Sequence, residues 1–454
     1  MRRRWSRAGL RRAAQSILEE ALVAAAPGRL VRRNLRVRAG AIEAADVRFR
    51  IGRGRRVALV AAGKAAVPMA LAAGRALGDL LTEGVAVTNA PGETVDRVRV
   101  LTASHPVPDE RGLEAAREVE ALARGLGQND LLLVLLSGGA SALLPAPAEG
   151  LSLEDKQLTT RLLLRAGASI HELNAVRKHL SRLKGGGLAA AATPARVLTL
   201  VLSDVVGDDL STIASGPTVP DPTTFADALD VLRRRGVLSR VPRRVRSRLE
   251  RGARGTLGET PKPGERLFRR VNTRIVGSNR LSVDAAAREA RRQGLRPVVL
   301  TTRLEGEARE AGRVLAAILR ESVESGRPAP PPVCFLAGGE TTVTVKGDGE
   351  GGRNQELAVA AAESLAGFPV PAVVASLGTD GIDGASDAAG GVVDDETTAR
   401  AAALGLAPAP AFLAENDTRN FLGPLGDLIL TGPTGTNVCD VVVALAGRRS
   451  RRGL

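Results

Sequence analysis

A chain of 454 residues is too long for one ordinary hydrophobic core, and a composition that is 44% hydrophobic and 25% charged excludes a disordered polypeptide. A formal charge of +15 and a pI of about 11.1 point at first sight to nucleic acid, but only 6 of the 64 basic residues are lysines, and the arginines are scattered along a chain that has no Tyr and only seven Phe. Without aromatic side chains to stack on bases, that charge reads as a solvated basic surface and not as a nucleic-acid interface.

In chain order, the start is basic and then helical, with a short apolar stretch broken by Glu19 and Glu20. That pattern does not fit a signal peptide, and no run of about 18 apolar residues suits a membrane span. Short apolar runs then alternate with helical patterns. Strands are predicted at 57–63, 84–89, 98–104, 131–139 and 197–205. The rhythm fades in the charged, Gly- and Pro-containing segment 236–265, which reads as a surface helix and a connection. It resumes with strands at 273–279, 296–302, 333–340, 341–347, 370–381 and 438–447. Strands this apolar, separated by helices, predict an α/β fold of two lobes, each a mostly parallel sheet covered by helices in the Rossmann manner. The expected division is 1–250 for the first domain, 251–270 for a connection and 271–454 for the second. Cys334 and Cys439 sit in strand-like runs without metal-ligand spacing and read as buried thiols of a reducing, cytoplasmic compartment.

In such sheets ligands gather beyond the carboxyl ends of the strands. Polar and Gly-rich residues fall there repeatedly: Gly63–Lys64, Ser137–Gly138–Gly139–Ala140–Ser141, Ser203–Asp204, Gly338–Gly339–Glu340 and Gly378–Thr379–Asp380–Gly381. Gly138 and Gly139 bare the backbone where a helix is expected to begin, which favours an anion, and Ser137 and Ser141 add hydroxyl donors. Lys64 is a compact cation suited to phosphate. Asp204 and Asp380 could hold Mg²⁺ or accept a hydroxyl proton, although helix capping and Asx turns fit Asp-Gly pairs equally well. Gly347, Gly349 and Gly352 formally match G-x-G-x-x-G, but without the strand–turn–helix setting of a dinucleotide fingerprint. Arg353 and Asn354, which open a helix after them, are better placed to clamp a phosphate. His105, His171 and His179 lack metal spacing and read as structural.

Seven ordered blocks carry a resemblance: 61–66 (AAGKAA), 104–110 (SHPVPDE), 135–147 (LLSGGASALLPAP), 174–189 (NAVRKHLSRLKGGGLA), 203–224, 338–358 (containing GRNQE) and 378–394 (GTDGIDGASDAAGGVVD). From about residue 12 to 447 the chain resembles the glycerate 2-kinases of the MOFRL type. The resemblance implies ATP- and Mg²⁺-dependent phosphorylation of D-glycerate to 2-phosphoglycerate by two α/β domains, with the site in the cleft between them. It implies that Lys64 is the catalytic lysine and Arg353 the arginine of the GRNQE motif. It makes the turn at Ser137, Gly138, Gly139 and Ser141, with Asn354 and Asp380, the nucleotide-contacting set. Asp204 would be base or metal ligand, Asp380 a further metal ligand, and Arg177–Lys178 a cation for the glycerate carboxylate. A homodimer is compatible with the sequence, and neither nucleic acid nor membrane is an expected partner. Family members labelled hydroxypyruvate reductase supply the rival, an NAD(P)H-dependent enzyme, which would need a dinucleotide fingerprint and a proton-donating His with a carboxylate partner.

Overall fold

The structure, a computed structural model, describes residues 5–448 apart from 51, 53 and 91–93. The Arg-rich first four residues and the Arg-rich last six lie outside the described residues. The chain divides into two compact units, one of residues 27–276 and one joining the first 26 residues to everything from Gly277 onward.

The first unit opens with a small antiparallel sheet of β1 (Leu35–Arg38), β2 (Ala41–Ala44) and β3 (Val47–Arg50). Sequence patterning misses this sheet because each strand is four residues long and arginines interrupt it. The main sheet contains β4 (Val57–Ala62), β5 (Leu81–Thr88), β6 (Val98–Thr102), β7 (Leu131–Leu136), β8 (Arg196–Leu202) and β9 (Val271–Gly277) in the order β6-β5-β4-β7-β8-β9. The pairings of β4 with β5 and β7, of β5 with β6, and of β7 with β8 are all parallel. β4 and β7 are buried along their whole length, which is why they read as unbroken apolar runs. Parallel strands all deliver their carboxyl ends to one edge, so the loops after β4, β7 and β8 are neighbours.

In the second unit β10 (Arg296–Leu304), β11 (Val333–Gly339), β12 (Ala372–Gly378), β13 (Gly390–Asp394), β14 (Leu428–Ile429) and β15 (Asp440–Ala446) are ordered β10-β11-β15-β12-β13-β14. β10, β11, β12 and β14 point the same way, while β13 and β15 run against them. The α/β class and the majority strand direction are as expected, but β15, inserted between β11 and β12, and β13, between β12 and β14, make every pairing except β10–β11 antiparallel. Segment 341–347 alternates like a strand but forms only an isolated bridge, Glu307 to Thr342. Side chains replace its ladder: Asn416 Oδ1 accepts from the N–H of Lys346 (2.6 Å) and of Gly347 (3.1 Å).

The observed division differs from the expected one at both ends. Strand β9, expected to begin the second domain, closes the first sheet, with Val271 and Ile275 against its core and Arg274 bidentate to Asp46. The charged segment 236–265 is, as expected, a surface helix (Arg243–Ala253) and a connection, but it lies inside the first unit. The first helix, Arg7–Ala25, joins the second unit. Its buried stripe of Leu10, Ala13, Ala14, Ile17, Leu18 and Ala21 packs with Val373, Ala375, Val441 and Val443.

Candidate functional site

In the first unit the loops after β4, β6, β7 and β8 bring together Lys64, His105, Ser137, Gly138, Gly139 and Asp204. The turns lock onto each other through backbone bonds. Lys64 N–H donates to Gly138 O (2.8 Å), and Ala65 N–H donates to Ser137 Oγ (3.0 Å). Gly63 has φ +124°, and a Cβ there would collide with Ser137. A Cβ on Gly138 would overlap the Asp204 carboxylate, and one on Gly139 (φ +87°) would lie 3.0 Å from His105 Cδ2 and 3.5 Å from Lys64 Cγ. Only glycine lets the Lys64, His105 and Asp204 side chains approach this turn. Among the described residues, no backbone acceptor takes the N–H of Gly138 or Gly139. The helix that follows is a single turn, Ala140–Leu143, so the expected helix dipole is weak, and an anion at this turn would rely on its Cβ-free backbone and on Lys64.

Of the three histidines, His105 lies at the turn. It stands beside Lys64 at the turn, and burial, reinforced by the Lys64 charge, lowers its pKa, so the ring is neutral at physiological pH. The signal available in the sequence was its position after an apolar strand in SHPVPDE. His179 is buried, with Nε2 3.1 Å from Glu259 and Nδ1 2.7 Å from Ala175 O.

Behind the turn, Ser141 Oγ lies 2.9 Å from Ser215 Oγ, which donates to Asn174 Oδ1 (2.9 Å). Lys184 Nζ donates to Ser141 O (2.7 Å) and Leu144 O (3.2 Å). Burial, and after it the Arg177 charge, lowers the Lys184 pKa to about 7. Of the Arg177–Lys178 pair, Lys178 is consumed by Asp221 at 3.2 Å. Asp209, near Asp204, is a turn-former accepting from Ser211 and Thr212.

In the second unit Arg353 opens the helix Arg353–Leu365. It grips Asp440 in a bidentate pair, Nε to Oδ2 at 2.6 Å and Nη2 to Oδ1 at 2.9 Å, and its Nη1 lies 3.0 Å from Glu340. A guanidinium has five N–H donors, so two remain for a further acceptor. Burial raises the Asp440 carboxyl to about 6 against the pull of Arg353. The phosphate clamp expected at this helix start is filled from within: Asp383 accepts from the N–H of Asn354 (3.0 Å) and Gln355 (2.9 Å) and from both of their side-chain amides. Asn354 is buried, and its Oδ1 accepts from Ser376 Oγ at 2.5 Å. Asn354 thus helps frame the helix start. Gly347, Gly349 and Gly352 are glycines because Glu415, Asp417 and Asp383 pack where a Cβ would be, not because a pyrophosphate approaches. Asp380, half-buried after β12, accepts from Ile382 N–H at 3.3 Å, an Asx-type turn, one of the two readings open for it. Among the described residues no group of three or more His, Cys, Asp or Glu could hold a metal, and no helix is long and apolar enough to cross a membrane. Both cysteines are buried, as expected.

Residues 13–250 match a domain of unknown function, DUF4147, and residues 333–440 match the MOFRL family. A glycerate 2-kinase of Pyrococcus horikoshii is 43% identical over 441 residues, covering 96% of this chain and 97% of its own. The chain belongs to the DUF4147–MOFRL family. A crystal structure of a glycerate kinase from Thermotoga maritima superposes with a TM-score of 0.86 at 41% identity, covering 97% of this chain and 100% of that one. A putative hydroxypyruvate reductase of Agrobacterium vitis is 44% identical over 396 residues, covering 86% of this chain and 87% of its own. In this DUF4147–MOFRL chain, the turn at Gly138–Gly139 lies within the first match and Arg353 within the second.

Proposed function

We propose that this chain is a glycerate 2-kinase that transfers the γ-phosphoryl group of ATP to the 2-hydroxyl of D-glycerate, giving 2-phospho-D-glycerate. The observation that carries the reading is the Gly138–Gly139 turn, whose missing Cβ atoms leave a bare backbone flanked by Lys64, His105 and Asp204. Phosphoryl transfer needs positioning and charge neutralisation more than covalent chemistry. The N–H groups of Gly138 and Gly139 receive phosphate oxygens, with Ser137 fixing the turn and Ser141 supporting it from behind. Lys64 neutralises charge that builds on the transferring group, and Arg353 offers its two remaining N–H donors to phosphate oxygens. Asp204 takes the proton of the acceptor hydroxyl. Mg²⁺ asks for only one or two carboxylates plus substrate phosphates, so Asp204 or Asp380 would hold it, and when bound it would neutralise phosphate charge. The buried thiols suit a reducing cytoplasm.

The reductase reading lacks support from the residues, since the one G-x-G-x-x-G stretch is packed against its own unit. The test pits the two activities against each other in one preparation. ADP formed from Mg-ATP only when D-glycerate is present supports the kinase. NADH oxidised by hydroxypyruvate, with no ADP formed, overturns it.

A further inference from the structure

The segment that follows the phosphate turn is held in place by cations that donate to backbone carbonyls. Lys184 donates to Ser141 O and Leu144 O, Lys156 to Pro145 O, and Arg182 to Pro147 O. Of these three only Arg182 has a carboxylate partner among the described residues, Glu120 at 2.8 Å. Basic side chains therefore crowd behind the turn. Arg177 is another of them, and its charge acts on both Lys156 and Lys184. It stands on the helix Ile170–His179, half-buried, and among the described residues it has neither a hydrogen bond nor an ion pair. Its neighbour Lys178 shows what the fold does when a cation there is structural: it supplies Asp221.

Three residues before Arg177, on the same helix face, Asn174 accepts from Ser215, which in turn meets Ser141. The guanidinium thus shares a helix face with the start of a hydrogen-bonded chain that runs to the residue following the glycine turn. A half-buried guanidinium with no acceptor among the described residues costs stability unless an anion arrives from solvent.

We propose that Arg177 is the residue that recognises the carboxylate of the acceptor substrate, acting beside the Asn174–Ser215–Ser141 chain. The inference rests on the hydroxy-acid reading above and adds its specificity determinant. A planar fork matches a carboxylate bidentately, whereas the phosphate side of the reaction is already served by the glycine turn and Lys64.

The test uses the full chain with Arg177→Gln and Arg177→Lys. KM for D-glycerate should rise about 30-fold or more in the Gln variant, with partial recovery in the Lys variant and no change in KM for ATP. The ligand-free Gln variant should melt at or above the wild-type Tm, because an uncompensated cation has been removed. D-glycerate should raise the Tm of the wild type and not of the Gln variant, while glycerol, which has no carboxylate, should raise neither. A rise in KM for ATP alone would hand Arg177 to the nucleotide phosphates, and a lowered Tm with unchanged KM would make it structural; either overturns the inference. Should the wild type turn over no glycerate, the kinase reading fails on its own. The melting experiment still decides the inference then: carboxylate-dependent stabilisation lost in the Gln variant upholds it, and its absence from the wild type ends it.

Discussion

Among the described residues Lys184 has no titratable partner of opposite sign, and it lies buried against two carbonyls, so the folded state binds its proton poorly. Its pKa falls from 10.5 to about 7. Between those values the unfolded chain carries a proton that the folded chain does not, so stability rises with pH across that window and this contribution is flat below pH 7. One proton of difference corresponds to about 1.4 kcal/mol per pH unit. Urea unfolding of the wild type between pH 7 and 9 should follow that upward slope, and Lys184→Met should flatten it by about that amount. An unchanged slope in the variant would show that Lys184 keeps its proton. At this scale the sequence was informative about glycines and lysines and silent about histidine. Rarity among arginines marked Lys64, and the absent Cβ marked Gly138 and Gly139. Nothing in SHPVPDE told that the imidazole of His105 would face Gly139, since that depends on which loops the sheet order makes adjacent.

Among elements, the helix Arg353–Leu365 is the clearest case of a start whose capping group comes from elsewhere in the chain. Its N-cap residue is Gly352, which has no side chain, and Asp383 supplies the acceptor from the loop after β12. Burial raises the Asp383 pKa even though four N–H groups donate to it, so the group is expensive to bury and its bonds offset that cost. Asp383→Ala should therefore cost about 2–4 kcal/mol, a lost cap plus orphaned buried donors. A chemical-denaturation shift below 1 kcal/mol would mean water replaces the carboxylate. A reading of nearest neighbours sees only GRNQE at this helix and aims it at a phosphate; the competing acceptor, 30 residues downstream by number, was legible only as one of several Asp-Gly pairs. The same limit explains segment 341–347. Its alternation suits a strand, but its backbone donors go to Asn416, whose φ is positive and whose side chain reaches in from another loop.

The whole molecule is built of two α/β units, and that much followed from the alternation of apolar runs with helices. Which strands and helices belong to which unit did not. The first helix is amphipathic and could cover any sheet. Two facts assign it: its stripe packs on β12 and β15, and Arg11 binds Asp394 (2.5 Å) and Asp427 (2.9 Å), both nearly inaccessible to solvent. Burying Leu10, Ile17 and Leu18 alone is worth about 1.5–3 kcal/mol each, comparable in sum with the stability of a typical domain. Removing residues 1–26 should thus abolish the cooperative unfolding of the second unit in calorimetry, while the unit of residues 27–276 retains its own transition. Two intact transitions in the truncated chain would contradict the assignment. The central claim is chemical, and the most direct measurement of it is phosphorus NMR of the product formed from Mg-ATP and D-glycerate, run with the wild type and with Lys64→Ala. The account predicts one new monoester resonance whose proton coupling places phosphate on C2, formed at least about 100-fold more slowly by the variant. Phosphate on C3, no new monoester, or equal rates from both proteins would contradict it.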